Sequence, residues 1–228
     1  MGMFLRRGPA PHITRMSALE IGQTIKLNVN GTPWDWLVVH QGQPSSIYDT
    51  SCDGTWLLMK DVYEKRKWNS KDSNVLETST IQSYLNGDFL NMFDGKVKGA
   101  IKQVKIPYRK NGGKGGTNQS GANGLPCKIF LLSSPEVHID SNNDGEGASL
   151  SYFASTSSTA KDSKRIANYN GSPSAWWLRS TAITSSTNVY NVRVDGDFAN
   201  TNTSYTRGIR PALILPSNFI VSEEMLAA

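Results

Sequence analysis

The sequence predicts an α+β fold built as one domain. Three observations lead there. Apolar residues alternate in the strand manner toward both ends of the chain, a helical period of apolar residues occupies its middle, and 228 residues with six Trp, seven Phe and eight Tyr suffice for one substantial core.

The opening "MGMFLRRGPAPHITRM", residues 1–16, is read as a tail and residues 17–228 as the domain. The tail has basic residues but no apolar run of signal-peptide length, and no later stretch approaches 18 apolar residues. Synthesis in a cytoplasm, with no signal peptide and no membrane insertion, is therefore expected. "QTIKLNVNGTPWDWLVVHQG" alternates at Ile25, Leu27 and Val29, turns at Asn30-Gly31 and resumes at Trp34 and Trp36, which predicts a hairpin. "TWLLMKDVYEKRKW" predicts a short strand running into a charged stretch.

"STIQSYLNGDFLNMFDGKVKGAIKQVKIPY" is the best helical segment. Ser79 is placed to cap it, and Ile81, Tyr84, Leu85, Phe89, Met92 and Phe93 follow the 3.6-residue period. A further helical turn through Val97 and Ile101 should lead into a strand ending at Pro107. "RKNGGKGGTNQSGANG" reads as a flexible loop, because glycine and polar residues bury little surface. "CKIFLLS" follows as a buried strand, and Ser134-Pro135 as a helix start. The remainder is strand-like: "SAWWLRS", "NVYNVRV", a turn at Asp195-Gly196, "DFANTNT" and "GIRPALIL".

Several chemistries find little support. The formal charge of +5 is concentrated around Lys60–Lys71 and Lys96–Lys114, without the aromatic interleaving expected of a nucleic-acid face, so no nucleic-acid partner is expected. His12, His40 and His138 stand alone, without a second His or Cys at ligand spacing, so no zinc site and no metal ligand is expected. "DSNNDGEG" sets Asp140, Asn142 and Asp144 at alternating positions of an oxygen-ligand loop with Gly145 at the turn, but its twelfth position is Ser151 and not Glu. A polar surface turn is the preferred reading there. Cys52 and Cys127 are compatible with two buried thiols or one disulfide. No nucleophile elbow, P-loop or dinucleotide fingerprint occurs, so no catalytic residue and no cofactor is assigned.

Residues 181–207 differ in kind: 15 of these 27 are Thr, Asn, Ser or Tyr. Lys, Glu, Gln, Met and Trp, which together make up 39 of the 228 residues, are absent from all 45 positions between Leu178 and Ser222. Those five are the amino acids that no codon ending in a pyrimidine encodes. An ordinary β region accounts for the loss of Lys and Glu but not for the Asn content, so a coding bias and a structural bias both stand on composition.

"WWLRS" at 176–180, the Ser/Thr/Asn/Tyr-rich middle and "GIRPALILPS" at 208–217 resemble the C-terminal half of a widespread family of uncharacterised proteins of gut bacteria, their phages and prophages. "TWLLMKDVYE", "STIQSYLNGDFL", "IKQVKIPY" and "KIFLLS" are similar to that family too. The sequence also resembles the variable proteins of diversity-generating retroelements. That resemblance implies a C-type lectin-like fold, related to that of formylglycine-generating enzymes, in which mutation at adenines of Asn-type codons varies surface residues on a fixed scaffold. The Glu-Pro-Asn, Gln-Pro-Asp and Trp-Asn-Asp signatures of calcium-dependent sugar binding are missing, as is a cysteine pair matching the formylglycine-generating active site.

The expectation is therefore a ligand- or receptor-binding module and not an enzyme, synthesised in the cytoplasm and displayed on a virion or cell surface. Its partner would be a protein or glycan on a cell surface, with virion tail proteins as further partners. An enzyme of the formylglycine-generating or carbohydrate-active type, or a structural virion protein, are the alternatives. The expected contact residues are Asn188, Tyr190, Asn191, Arg193, Asp195, Phe198, Asn200, Asn202 and Tyr205. Strand parity makes Val192 the inward anchor and turns Asn191 and Arg193 outward.

Overall fold

The computed structural model describes residues 13–226. Mostly β, with few and short helices, the chain is α+β, and its buried apolar side chains form one connected cluster. His12 and the other residues of the 1–12 stretch lie outside the described residues. The tail boundary expected at Met16 moves upstream: Thr14–Arg15 pairs antiparallel with Ile220–Val221, and Met16 is fully buried.

The first sheet starts with the hairpin Thr24–Val29 (β1) and Thr32–Gln41 (β2). Asn30 and Gly31 both have positive φ, 51° and 75°, the conformation that a two-residue turn of this twist requires. Ile25, Leu27 and Val29 face the core, as their alternation predicts. Thr55–Met59 (β3) is buried along its whole length because it lies in the interior of the sheet, paired with β2 on one side.

Glu64–Lys67 (β4), the charged stretch, is an edge strand of a second sheet, where lysine and arginine are tolerated. Ile129–Phe130 (β5) returns to the first sheet. Trp176–Thr181 (β6), Asn188–Val192 (β7), Phe198–Asn202 (β8) and Thr206–Ile209 (β9) belong to the second, and Ala212–Leu215 (β10) to the first. The strand orders are β5-β10-β3-β2-β1 and β8-β7-β6-β9-β4, antiparallel except for β6 beside β9.

Two runs of sequence cross between the sheets at one corner. β3 passes into β4 and β9 into β10, and the corner is sewn by Met59 N–H to Pro211 O at 2.9 Å and Tyr63 N–H to Ile209 O at 3.0 Å. Arg210 is buried at this step, its Nε donating to Met59 O at 2.8 Å, with its guanidinium over Trp176. "GIRPALIL" is thus two strands in two sheets, and not one.

The helical segment divides into Thr80–Tyr84 (α1), a π-helical turn Leu85–Phe89, and Gly95–Ala100 (α2). Ser79 caps α1 by accepting from Gln82 N–H at 3.2 Å. Ile81, Leu85, Phe89 and Phe93 are buried, and Phe93 packs against Trp36 at 5.8 Å between ring centroids. The strand expected before Pro107 is Val104–Ile106.

The glycine-rich stretch is not the loop it was expected to be. Tyr108–Lys110 pairs antiparallel with Thr117–Gln119, and Gly113 N–H donates to the buried Asn74 side chain at 3.1 Å. A Cβ on Gly113 would collide with the carbonyls of Ala182 and Ser185. Glycine here permits a close backbone approach, and the hairpin is ordered through main-chain contacts that need no buried apolar side chains.

Candidate functional site

Residues 181–207 run from the last residue of β6 through β7 and β8 to the start of β9, held between flanks that are buried outright. Trp176 and Trp177 point to opposite faces of β6, yet both are fully buried. Trp176 Nε1 donates to Arg165 O at 2.9 Å, and Trp177 Nε1 to Arg66 O at 3.0 Å. Ile209, Ala212, Leu213 and Leu215 are buried on the other flank.

That both faces of β6 are covered explains a correction. Asn191, expected outward, is only 2% exposed and donates from Nδ2 to Ala199 O at 3.0 Å and Thr201 Oγ1 at 2.9 Å. Parity separates the two faces but does not reveal that the Asn191 side chain is folded onto β8 by its own hydrogen bonds. Val189, of the same parity, is fully buried too. Segment 68–75 reaches over from one side, with Trp68 Nε1 on Leu178 O and Asn74 Nδ2 on Ser185 O and Asn188 O. Val192 is buried as expected, while Arg193 is exposed.

The expected contact residues do not form a single patch. By register, Asn188, Tyr190, Phe198, Asn200 and Asn202 share one face of the β7–β8 hairpin. There Asn188 Nδ2 donates to Asn200 Oδ1 at 3.0 Å, Asn202 Nδ2 to Asp72 Oδ1 at 2.9 Å, and the Tyr190 hydroxyl to Ser141 O at 3.3 Å. Asn191, Arg193 and Asp195 line a groove of about 580 Å³ instead, and Tyr205 is exposed beside Arg207.

Eight of the twelve residues lining this groove lie within 181–207. Asn191, Ala199 and Thr201 belong to its lining on β7 and β8, and Asn191 is fixed there by its two hydrogen bonds. Sequence reasoning missed Ser174, Lys65 and Arg207. Lys65 reaches the groove only because β4 pairs with β9, Lys65 opposite Gly208, a long-range register that no local pattern announces.

The groove is electropositive. Lys65, Arg193 and Arg207 line it together with one acid, Asp195, whose Oδ1 is occupied by the N–H of Asp197 at 3.2 Å. Arg193 approaches Asp197 only to 3.9 Å. Lys65 lies over the Tyr169 ring at 4.8 Å, and Arg207 Nη1 donates to Thr206 O at 3.1 Å while its buried Nε makes no hydrogen bond.

Potential catalytic groups lie elsewhere. Both cysteines are free and buried; burial pushes the Cys52 thiol up to about 11 and that of Cys127 to about 12, where thiolate is scarce at neutral pH. His40 Nδ1 lies 2.8 Å from Ser151 Oγ, but the Ser151 N–H is directed at the same nitrogen, an arrangement that ties β2 to the turn beginning at Ser151. Burial lowers the His40 pKa.

The alternating loop Asp140–Gly147 is neither a cation cage nor merely a surface turn. Asp140, Asn142 and Asp144 are exposed, while Ser141, Asn143 and Glu146 point inward. Asn143 Nδ2 donates to Glu146 Oε1 at 2.8 Å and to Thr181 O at 3.0 Å, so the loop braces the end of β6. Among the described residues no three His, Cys, Asp or Glu side chains converge as a metal site, and no helix is long and apolar enough to cross a membrane.

A family model, a domain of unknown function (DUF6273), matches residues 53–217, and the chain belongs to that family. The match contains the whole groove and omits the β1–β2 hairpin. Neither the curated proteins nor the solved structures give a match to this chain.

Proposed function

We propose that this chain is a ligand-recognition module of phage or prophage origin, a C-type lectin-like scaffold that displays residues 181–207 to a partner on a cell surface. The observation that carries the reading is a coincidence of two independent features. The stretch lacking Lys, Glu, Gln, Met and Trp is also the stretch that supplies two thirds of the groove lining. A composition that codons ending in a pyrimidine would produce and a concave, solvent-facing site fall on the same residues.

The surroundings suit that use. The flanking "WWLRS" and "RPALIL" strands are buried, and together with Val189, Val192 and Thr203 inside the segment they hold the scaffold beneath the exposed residues. Display on a virion tail or host surface, and the C-type lectin-like fold itself, rest on the sequence resemblance. The enzyme alternative draws no support from the cysteines, whose buried thiols are held in the unreactive protonated form.

The test has a genetic and a binding arm. Sequencing the encoding locus should find a reverse transcriptase and an imperfect template repeat of codons 181–207; identical segments across isolates with no such repeat would remove the diversification part. In a screen of the purified protein against glycan and host surface-protein arrays, Val194→Ser/Tyr205→Ser, which changes an exposed side chain of the groove and the exposed ring beside Arg207, should abolish binding of whatever the wild type captures. Unchanged binding by that variant would remove the recognition surface.

A further inference from the structure

The groove's charge names the chemistry of its occupant. Among the described residues neither Lys65 nor Arg207 is within salt-bridge distance of a carboxylate, and Arg193 has only the 3.9 Å contact to Asp197. Three cations thus line one groove with a single acid, Asp195, among them. Cations lining one groove favour an anionic occupant, and a guanidinium matches a carboxylate through two parallel hydrogen bonds.

Fixed polar groups accompany the charge. Both amide hydrogens of Asn191 are directed into the sheet, at Ala199 O and Thr201 Oγ1, which leaves its Oδ1 and the hydroxyl proton of Thr201 for a ligand. These are suited to the main chain of an extended peptide. At the margins lie two of the few exposed large hydrophobic side chains of the described protein, Val194 at 53% and Tyr205 at 57% exposure. Apolar margins around arginines are the composition of a protein–protein hot spot. No aromatic ring lines the groove itself, so a sugar ring would find no face to stack on.

Resting on the recognition reading above, we infer that the groove binds an acidic peptide segment of a protein partner, with an Asp or Glu carboxylate held by Arg193 and Arg207 and a second by Lys65. The partner's main chain lies along Asn191 and Thr201, and its apolar side chains meet Val194 and Tyr205.

Fluorescence anisotropy with a fluorescein-labelled hexa-glutamate peptide tests this on the full chain. Hexa-glutamine serves as the neutral probe and a sialylated trisaccharide as the acidic sugar. Lys65→Gln/Arg193→Gln/Arg207→Gln should weaken hexa-glutamate binding about tenfold or more. Lys71→Gln/Lys110→Gln/Lys161→Gln, which removes the same charge from exposed positions elsewhere, should leave it within about twofold. Binding should also weaken steeply as salt rises.

Equal losses in the two triple variants would overturn the inference, since net charge alone would then explain the binding. It also falls if the sialylated sugar binds and the peptide does not, which would make the occupant an acidic glycan. An array ligand lost in Val194→Ser/Tyr205→Ser but indifferent to Lys65→Gln/Arg207→Gln and to salt would keep the recognition surface and remove the acidic peptide. If no ligand responds to either set, both readings fail together.

Discussion

Arg179 lies in the core between two carboxyl groups, and the three cannot all carry full charge without leaving one anion unbalanced. Glu136 takes the guanidinium in a bidentate pair at 2.5 and 2.6 Å, with the Tyr48 hydroxyl donating to the same carboxylate. Glu146 offers Arg179 only its main-chain oxygen, at 2.8 Å. Desolvation consequently dominates Glu146 and, against the Ser180 hydroxyl and the Arg179 charge, pushes its pKa from the ordinary 4.5 up to about 7. Between about pH 4.5 and 7 the folded protein keeps a proton that the unfolded chain has released, so stability falls as pH rises through that window and levels off above it. The full effect is about 3 kcal/mol. Glu146→Gln should flatten the curve: urea melts should find the variant close to wild type at pH 5 and more stable than it at pH 8. Parallel pH profiles for the two proteins would show that Glu146 is not the titrating group. None of this was legible in "DSNNDGEG", where the spacing of Asp140, Asn142 and Asp144 drew attention to the residues that face solvent. Asn143 and Glu146 join the core through partners near and far along the chain, among them Thr181 and Arg179. Local turn chemistry says nothing about the distant ones.

Elements whose signal is local were read well. The Asn30-Gly31 hairpin, the Ser79 cap and the start of the helix each depend on residues a few positions apart, and each is present, whereas the regular period gives way to a π-helical turn at Leu85–Phe89 and Phe93 lies beyond the helix, bridged to Val29. The Gly-rich element between Arg109 and Gly124 was misread because composition was made to stand for order. Its hairpin is anchored through Asn74 and the 182–185 backbone, contacts invisible to a count of apolar residues. Glycines of the same chain should therefore divide by role. Gly113→Ala drives a methyl group into two carbonyl oxygens and should cost roughly 1–3 kcal/mol or more. Gly99, in α2 with open space where its Cβ would stand, should gain up to about 1 kcal/mol on replacement by Ala. Thermal melts of the two single variants decide the matter, and a Gly113→Ala protein as stable as wild type would restore the flexible-loop reading. Because Gly113 packs beside Ala182 and Ser185, this hairpin also supports the approach to β7, so its loss should loosen the displayed segment as well.

At the scale of the whole molecule, stability and recognition fall mostly on different residues, Asn191 serving both through its two buried bonds and its place in the groove wall, and the division does not follow the boundary of the unusual composition. Within 181–207, Val189, Asn191, Val192 and Thr203 are buried and belong to the scaffold, while Arg193, Asn200 and Tyr205 are exposed and belong to the surface. Sequence supplied the segment and its flanks. It could not supply the division inside, which depends on what the 68–75 and 137–165 stretches place over each face of the second sheet. The division has a measurable consequence. Arg193→Ser/Asn200→Ser/Tyr205→Ser should shift stability by no more than about 0.5 kcal/mol per site, the usual range for exposed positions, while removing ligand binding. Asn191→Ala should cost about 1–3 kcal/mol, because it deletes two buried hydrogen bonds and leaves Ala199 O and Thr201 Oγ1 without their donor. Trp176→Ala and Trp177→Ala should each cost about 3–5 kcal/mol, since both rings are fully buried and each change removes a large side chain and leaves a cavity. Denaturant melts of the four proteins rank them. A triple surface variant that unfolds as readily as either Trp variant would mean that the exposed residues help hold the sheet together, and a surface free to change without loss of fold would then be untenable.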